Sequence, residues 1–128
     1  MSYEMYQEAI LDHYRNPRNF GELKDADISA QGDNPLCGDE IALYLKLNCD
    51  GEVEEVRFKG RGCAISLASA SMLTVTLKGK TLEEVEKIDK ERILKILGIP
   101  ISPVRLKCAI LPLEVLKVGL IASKHGDK

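Results

Sequence analysis

The chain lacks an excess of either charge, a long apolar run, and a histidine placed beside its cysteines, and each gap removes a class of function. Its 128 residues carry 18 Lys and Arg against 20 Asp and Glu, a formal net charge of −2. No long-range basic field therefore favours nucleic acid or an anionic membrane as a general partner. Met1-Ser2-Tyr3-Glu4 has neither the basic start nor the apolar stretch of an export signal. No segment approaches the roughly 18 apolar residues of a membrane span. A cytoplasmic protein is expected. The two histidines, His13 and His125, have no loop address near a motif cysteine, which argues against a Cys-His nucleophile pair. Internal repeats, low-complexity tracts and linkers are absent, and 45% hydrophobic residues suffice for one core, so a single domain spanning residues 1–128 is expected.

Four cysteines are present: Cys37, Cys49, Cys63 and Cys108. They could form two disulfides in a secreted protein, but without an export signal, and with an adequate core, free thiols are the better reading. In a reducing compartment, cysteines among Gly and Asp in loops are more often metal-binding or catalytic than cross-linked.

Ser2 can cap a first helix over residues 2–15, which Asn16-Pro17 stops. A short strand is expected near Ile28 to Ala30, followed by the turn-forming run Gln31-Gly32-Asp33-Asn34-Pro35. Ile41, Leu43, Leu45 and Leu47 alternate with less apolar residues, the period of a strand with one buried face. Asp50-Gly51 then turns the chain into Val53 to Lys59, an antiparallel hairpin with Cys49 at its tip. Gly60-Arg61-Gly62 is expected to break the second strand, and residues 64–78 to form a helix with Ile65, Ala68, Met72 and Leu73 facing in. Thr81 and Glu84 fit a capping box for a short helix to about Ile88, and Glu91 to Leu97 fits another; both are expected at the periphery. A last helix is expected from about Lys107, with Pro112 in or near its first turn. The fold class is α+β, a small antiparallel sheet of about three strands packed on one face by helices.

Three cysteines then lie at the ends of elements: Cys37 in a loop, Cys63 and Cys108 at helix starts, where the positive end of the helix dipole favours a thiolate. Asp39 is two residues beyond Cys37, with Gly38 between them to let the backbone turn. Three sulfurs and one oxygen suit zinc or an iron–sulfur cluster better than calcium or magnesium. The spacings, 26 residues from Cys37 to Cys63 and 45 more to Cys108, match no zinc-finger pattern. On the residues alone, a shared metal site and three buried inert thiols both stay open.

The runs Asp12-His13-Tyr14-Arg15-Asn16-Pro17-Arg18-Asn19, Asn34-Pro35-Leu36-Cys37-Gly38-Asp39, Gly60-Arg61-Gly62-Cys63-Ala64-Ile65-Ser66 and Pro103-Val104-Arg105-Leu106-Lys107-Cys108-Ala109 resemble the IscU/SufU/NifU N-terminal family in order and spacing. The resemblance implies an IscU/SufU-like fold and a scaffold function. Cys37, Asp39, Cys63 and Cys108 would hold a nascent two-iron, two-sulfur cluster or zinc. A cysteine desulfurase would deliver sulfur, with Cys108 its acceptor, and apo iron–sulfur proteins would receive the product.

The sequence departs from both subfamilies. Lys107 stands where IscU-like members carry His, and a protonated ammonium has no lone pair for a metal, which leaves Asp39 as the fourth protein ligand. Ile101-Ser102-Pro103-Val104-Arg105 differs at three of five positions from the segment IscU presents to a specialised chaperone, so that partner stays open, as does a homo-oligomer. SufU-like members carry an insertion of roughly twenty residues that is missing here. A zinc-bound, SufU-like sulfur acceptor is the alternative to the scaffold. Cys49 is expected to be incidental, His13 a packed and hydrogen-bonded core residue, and Arg61 and Arg105 either anion-attracting or merely solvated.

Overall fold

Alternation along one strand sets up the sheet. The computed structural model describes residues 3–35 and 38–125, without the side chains of residues 3–7, 104, 124 and 125. The elements are α1 (Tyr3–Arg15), β1 (Ile28–Asn34), β2 (Asp39–Leu47), β3 (Val53–Arg61), α2 (Ala64–Leu77), α3 (Leu82–Glu86), α4 (Lys90–Leu97) and α5 (Pro103–His125). The three strands form one antiparallel sheet in the order β1-β2-β3. Ile41, Leu43 and Leu45 of β2 are buried, and Leu43 and Leu45 face Phe58 and Val56 of β3 and Ala30 and Ile28 of β1. Tyr44 and Lys46 lie on the other face, opposite Arg57 and Glu55. This one-sided pattern lets helices cover a single face, α5 against β1 and β2, and α2 against β3. The expected α+β architecture is thus present.

α2 is buried over most of its circumference rather than on one stripe, with Ala68, Ala70, Leu73, Leu77, Ser66, Ser69, Ser71 and Thr74 all inside and Val75 left exposed. Small residues allow this close approach, and their hydroxyls find partners. Ser69 Oγ donates to the Ala109 carbonyl at 2.7 Å, Ser66 Oγ to the Cys63 carbonyl at 3.1 Å, and Thr74 Oγ1 to the Ser71 carbonyl at 2.7 Å. α1 packs on α2, where His13 Nδ1 bonds Ser71 Oγ at 2.7 Å and the Arg18 amide donates to the same hydroxyl at 2.9 Å. Each buried large apolar side chain contributes about 1.5–3 kcal/mol relative to exposure.

Several boundaries differ from the sequence reading. β1 continues to Asn34, so Gln31 to Asn34 pair with β2 instead of turning. β3 runs through Gly60 to Arg61, because a Cβ at Gly60 would sit 2.1 Å from the Glu40 carbonyl oxygen and glycine alone allows that approach. α5 starts at Pro103, not near Lys107: the Ser102 carbonyl accepts from the amides of Arg105 and Leu106, both at 3.0 Å, and proline suits the first helical position. Pro112 therefore lies in the helix interior, where it has no amide hydrogen for the Cys108 carbonyl. The capping box of Thr81 and Glu84 is present, but α3 and α4 are not peripheral, since Val85, Ile88, Ile93 and Leu97 are buried. Their charged residues point outward while this stripe packs inward, α4 against α2 and α5.

The outer edge of β3 is engaged: the Phe58 amide donates to the Asn19 carbonyl at 2.9 Å and the Gly21 amide to the Phe58 carbonyl at 2.7 Å. Phe20 meets Phe58 edge-on, ring centres 5.3 Å apart. Among the described residues, no helix is long and apolar enough to cross a membrane. The expected cap at Ser2 lies outside the described residues.

Candidate metal centre

Strand parity aims Asp39. It is the first residue of β2, opposite Asn34, and shares the odd-numbered inner face with Ile41, Leu43 and Leu45. The turn before it needs a positive φ at Gly38, +75°, where the amide donates to the Asn34 carbonyl at 2.8 Å. The Asp39 side chain is consequently buried beneath the helices, at 0% exposure.

Cys63 is the N-cap of α2, with extended backbone, and its Sγ accepts from the Ser66 amide at 3.5 Å. It also meets Asp39: its amide donates to Oδ1 at 2.9 Å, and Sγ stands 3.8 Å from Oδ2. Cys108 is inside α5, not at its start, and is 0% exposed. The helix-start position is therefore present at Cys63 and absent at Cys108, whose position comes from packing of α5 on α2, beside the bond from Ser69 to Ala109.

One ligand atom from each of Asp39, Cys63 and Cys108 lies within 4.8 Å of the other two. In a tetrahedral zinc site, bond lengths of about 2.0 Å to oxygen and 2.3 Å to sulfur put ligand atoms about 3.5–3.8 Å apart. The donor set and spacing fit a soft metal. Cys37, the remaining expected ligand, lies outside the described residues. Cys49 is exposed on the hairpin turn and outside the group.

The surrounding cations are on the rim. Lys107 is exposed, and Arg61 is 79% exposed in a 3.3 Å ion pair with Glu40. Arg105 joins Cys63 and Ile101 in lining an open cleft of about 460 Å³, so solvent reaches the centre from the Cys63 side. His13 is packed and hydrogen-bonded as expected; burial, then the neighbouring Arg18 charge, holds its imidazole below the usual histidine range. Sequence reasoning did not single out Gly62, read only as a strand breaker, or Ser69, read only as a small helix residue; no local pattern marks contacts made across such distances in the chain.

The family model for the NifU-like N-terminal domain matches residues 5–126. The zinc-dependent sulfurtransferase SufU of Bacillus subtilis is 39% identical, with 96% of this chain and 94% of the relative covered. That alignment spans 141 residues, longer than this chain, so it contains gaps. The iron–sulfur cluster assembly scaffold protein IscU of Azotobacter vinelandii is 38% identical over 123 residues, covering 94% of each chain. Among solved structures, a putative iron–sulfur cluster assembly scaffold protein for the SUF system from Fervidobacterium islandicum superposes with a TM-score of 0.75 at 29% identity, covering 94% of this chain and 99% of that one. The motifs that carried the resemblance, the sheet they fold into and a match that runs nearly end to end agree, and the chain belongs to the NifU-like N-terminal domain family.

Proposed function

We propose that this protein is a scaffold on which a labile iron–sulfur cluster is assembled from iron and desulfurase-derived sulfur and then passed to apo-proteins. The observation that carries this is the convergence of Asp39, Cys63 and Cys108 at the junction of β2, α2 and α5. Cys37 completes the set by its place in the motif, two residues before Asp39. The cluster, of the two-iron, two-sulfur type, is cargo, and lability follows from the donor set: one carboxylate oxygen binds a soft centre more weakly than a fourth thiolate would. Three of these four donors stand within 4.8 Å of one another.

Sulfur comes as the persulfide of a cysteine desulfurase. The accepting thiolate bonds to the outer persulfide sulfur, and the desulfurase cysteine leaves as thiolate. Cys108 is the acceptor in this reading. Because it is buried and Cys63 is partly open, delivery requires the cleft to widen or sulfur to enter through Cys63. The family match over residues 5–126 supports a single domain, and free thiols suit a reducing cytoplasm.

A second reading has one observation in its favour. The Bacillus subtilis relative is named a zinc-dependent sulfurtransferase, and Lys107 precedes the last cysteine here. In that case zinc organises the thiols and the product is a protein-bound persulfide. The alignment with IscU, 123 residues against 141 for SufU, needs less insertion relative to this chain and favours the scaffold. Anaerobic reconstitution with iron and sulfide, followed by absorption spectroscopy and metal analysis, separates the two. Visible sulfur-to-iron charge-transfer bands are expected. A colourless protein with one zinc per chain that iron does not displace would overturn the scaffold reading.

A further inference from the structure

We propose that the Asp39 carboxylate is divided between two tasks, Oδ1 fixing the Cys63 amide and Oδ2 serving the metal centre, and that Gly62 is the positioning residue that allows this division. Oδ1 accepts the Cys63 N–H at 2.9 Å, whereas Oδ2 is the oxygen facing Cys63 Sγ, at 3.8 Å. The bond ties the first residue of β2 to the first turn of α2, across 24 residues of chain. It thereby sets where the Cys63 thiol stands.

Gly62 is what leaves room. A Cβ at this position would lie 2.2 Å from Asp39 Oδ1, 2.9 Å from its Cγ and 3.0 Å from its Cα. The first of these falls on the same oxygen that takes the amide. Any side chain would drive the carboxylate off the Cys63 N–H or push the strand end away, leaving a buried charge short of a donor. The φ of +152° at Gly62 adds a backbone cost for any other residue. Outer groups that orient a ligand typically matter 10–100-fold in metal affinity. The inference rests on the metal-centre reading above, but its first measurement uses metal-free protein.

The test is amide hydrogen exchange at Cys63 in the apo-protein, paired with Co(II) titration followed by its thiolate absorption. Asp39→Asn keeps an Oδ1 acceptor and loses the anionic oxygen. Its Cys63 amide should stay protected to within about two-fold of wild type while cobalt affinity falls at least about ten-fold. Asp39→Ala should lose both, with exchange faster by about ten-fold or more. Gly62→Ala, with every ligand intact, should behave like Asp39→Ala.

A thermodynamic cycle separates positioning from backbone strain. If Gly62 acts through the carboxylate, Gly62→Ala costs less stability, by urea unfolding, in the Asp39→Ala background than in wild type. If Gly62→Ala alone does not fold, recovery of a folded Asp39→Ala/Gly62→Ala protein supports the proposal and failure to recover overturns it. Equal costs in both backgrounds, or Asp39→Asn exchanging as fast as Asp39→Ala, also overturn it. Absence of cobalt binding in wild type would remove the metal-centre reading and leave the exchange result to decide the Asp39 and Gly62 link.

Discussion

The β2-β3 hairpin carries a cysteine and a glycine near both of its ends, and the two ends differ in everything that matters to chemistry. At the turn, Asn48 Oδ1 accepts from the amides of Asp50 and Glu52, both at 2.9 Å, and Cys49 stands exposed beside it. At the open end, Asp39 accepts from the Cys63 amide, and that carboxylate is buried under α2 and α5. The first are local bonds between neighbours in sequence, at or near the surface. The second joins residues far apart in the chain, in a place where an unpaired group is costly. Residue type does not make a site; enclosure by tertiary packing does.

The sharpest way to break this comparison is at the sulfurs. Cys63→Ser and Cys108→Ser should each weaken cobalt or zinc binding by about a hundred-fold or more, because a hydroxyl is a poor soft-metal ligand. Cys37→Ser should match them, and Cys49→Ser should bind like wild type. Equal losses at Cys49 and Cys63 in competition titrations would erase the distinction between the ends. Packing gives the next largest contrast. Phe58→Ala, which empties a fully buried position, should cost about 3–5 kcal/mol in urea unfolding, whereas Cys49→Ala should stay within about 0.5 kcal/mol.

Acid should also separate the two ends. His13 bonds Ser71 on α2, and its pKa is depressed by burial and then by Arg18, with Asp12 opposing weakly. The folded state thus prefers neutral imidazole. The stabilisation from His13 is complete above the unfolded value near 6.5 and is lost as pH falls below it through the depressed folded value. Between neutral pH and mild acid, the thermal midpoint should drop, and amide signals of α2 and Cys63 should shift before those of the Asn48 turn. His13→Gln should flatten that response; an unchanged slope would sink the assignment. The smallest effect belongs to Arg61→Ala. Its ion pair with Glu40 is largely in water, so stability should stay within the error of the unfolding measurement even though it adjoins the centre.

The hairpin and the capping box of Thr81 were legible from alternation and local caps, whereas Asp39, Cys63 and Cys108 were expected together only through the resemblance to the family. What escaped were properties set at long range. Gln31 to Asn34 have turn-forming composition, yet pairing with β2 overrides it. The last helix was expected from about Lys107, with Pro112 near its first turn, but α5 begins at Pro103 and holds that proline in its interior, with packing against the sheet and α2 around it. α3 and α4 were expected at the periphery, while one inward stripe of each is buried. The direction of Asp39 was implicit in the odd-numbered inner face of β2, but its bond to Cys63 spans 24 residues and leaves no local trace. Gly62 shows in the sequence as a strand breaker within a family motif, with nothing to mark its approach to Asp39.

The strapping of β3 by Asn19 and Gly21 also limits where the sheet can grow. With Phe58 already bonded on its outer side, that edge has no free register there for another strand. Among the described residues, β1 has β2 as its one strand partner, and its seven residues include a single charge, Asp33. A strand contributed by another chain would find both outward backbone groups of Phe58 already taken by Asn19 and Gly21, so that the strap caps the sheet on the β3 side.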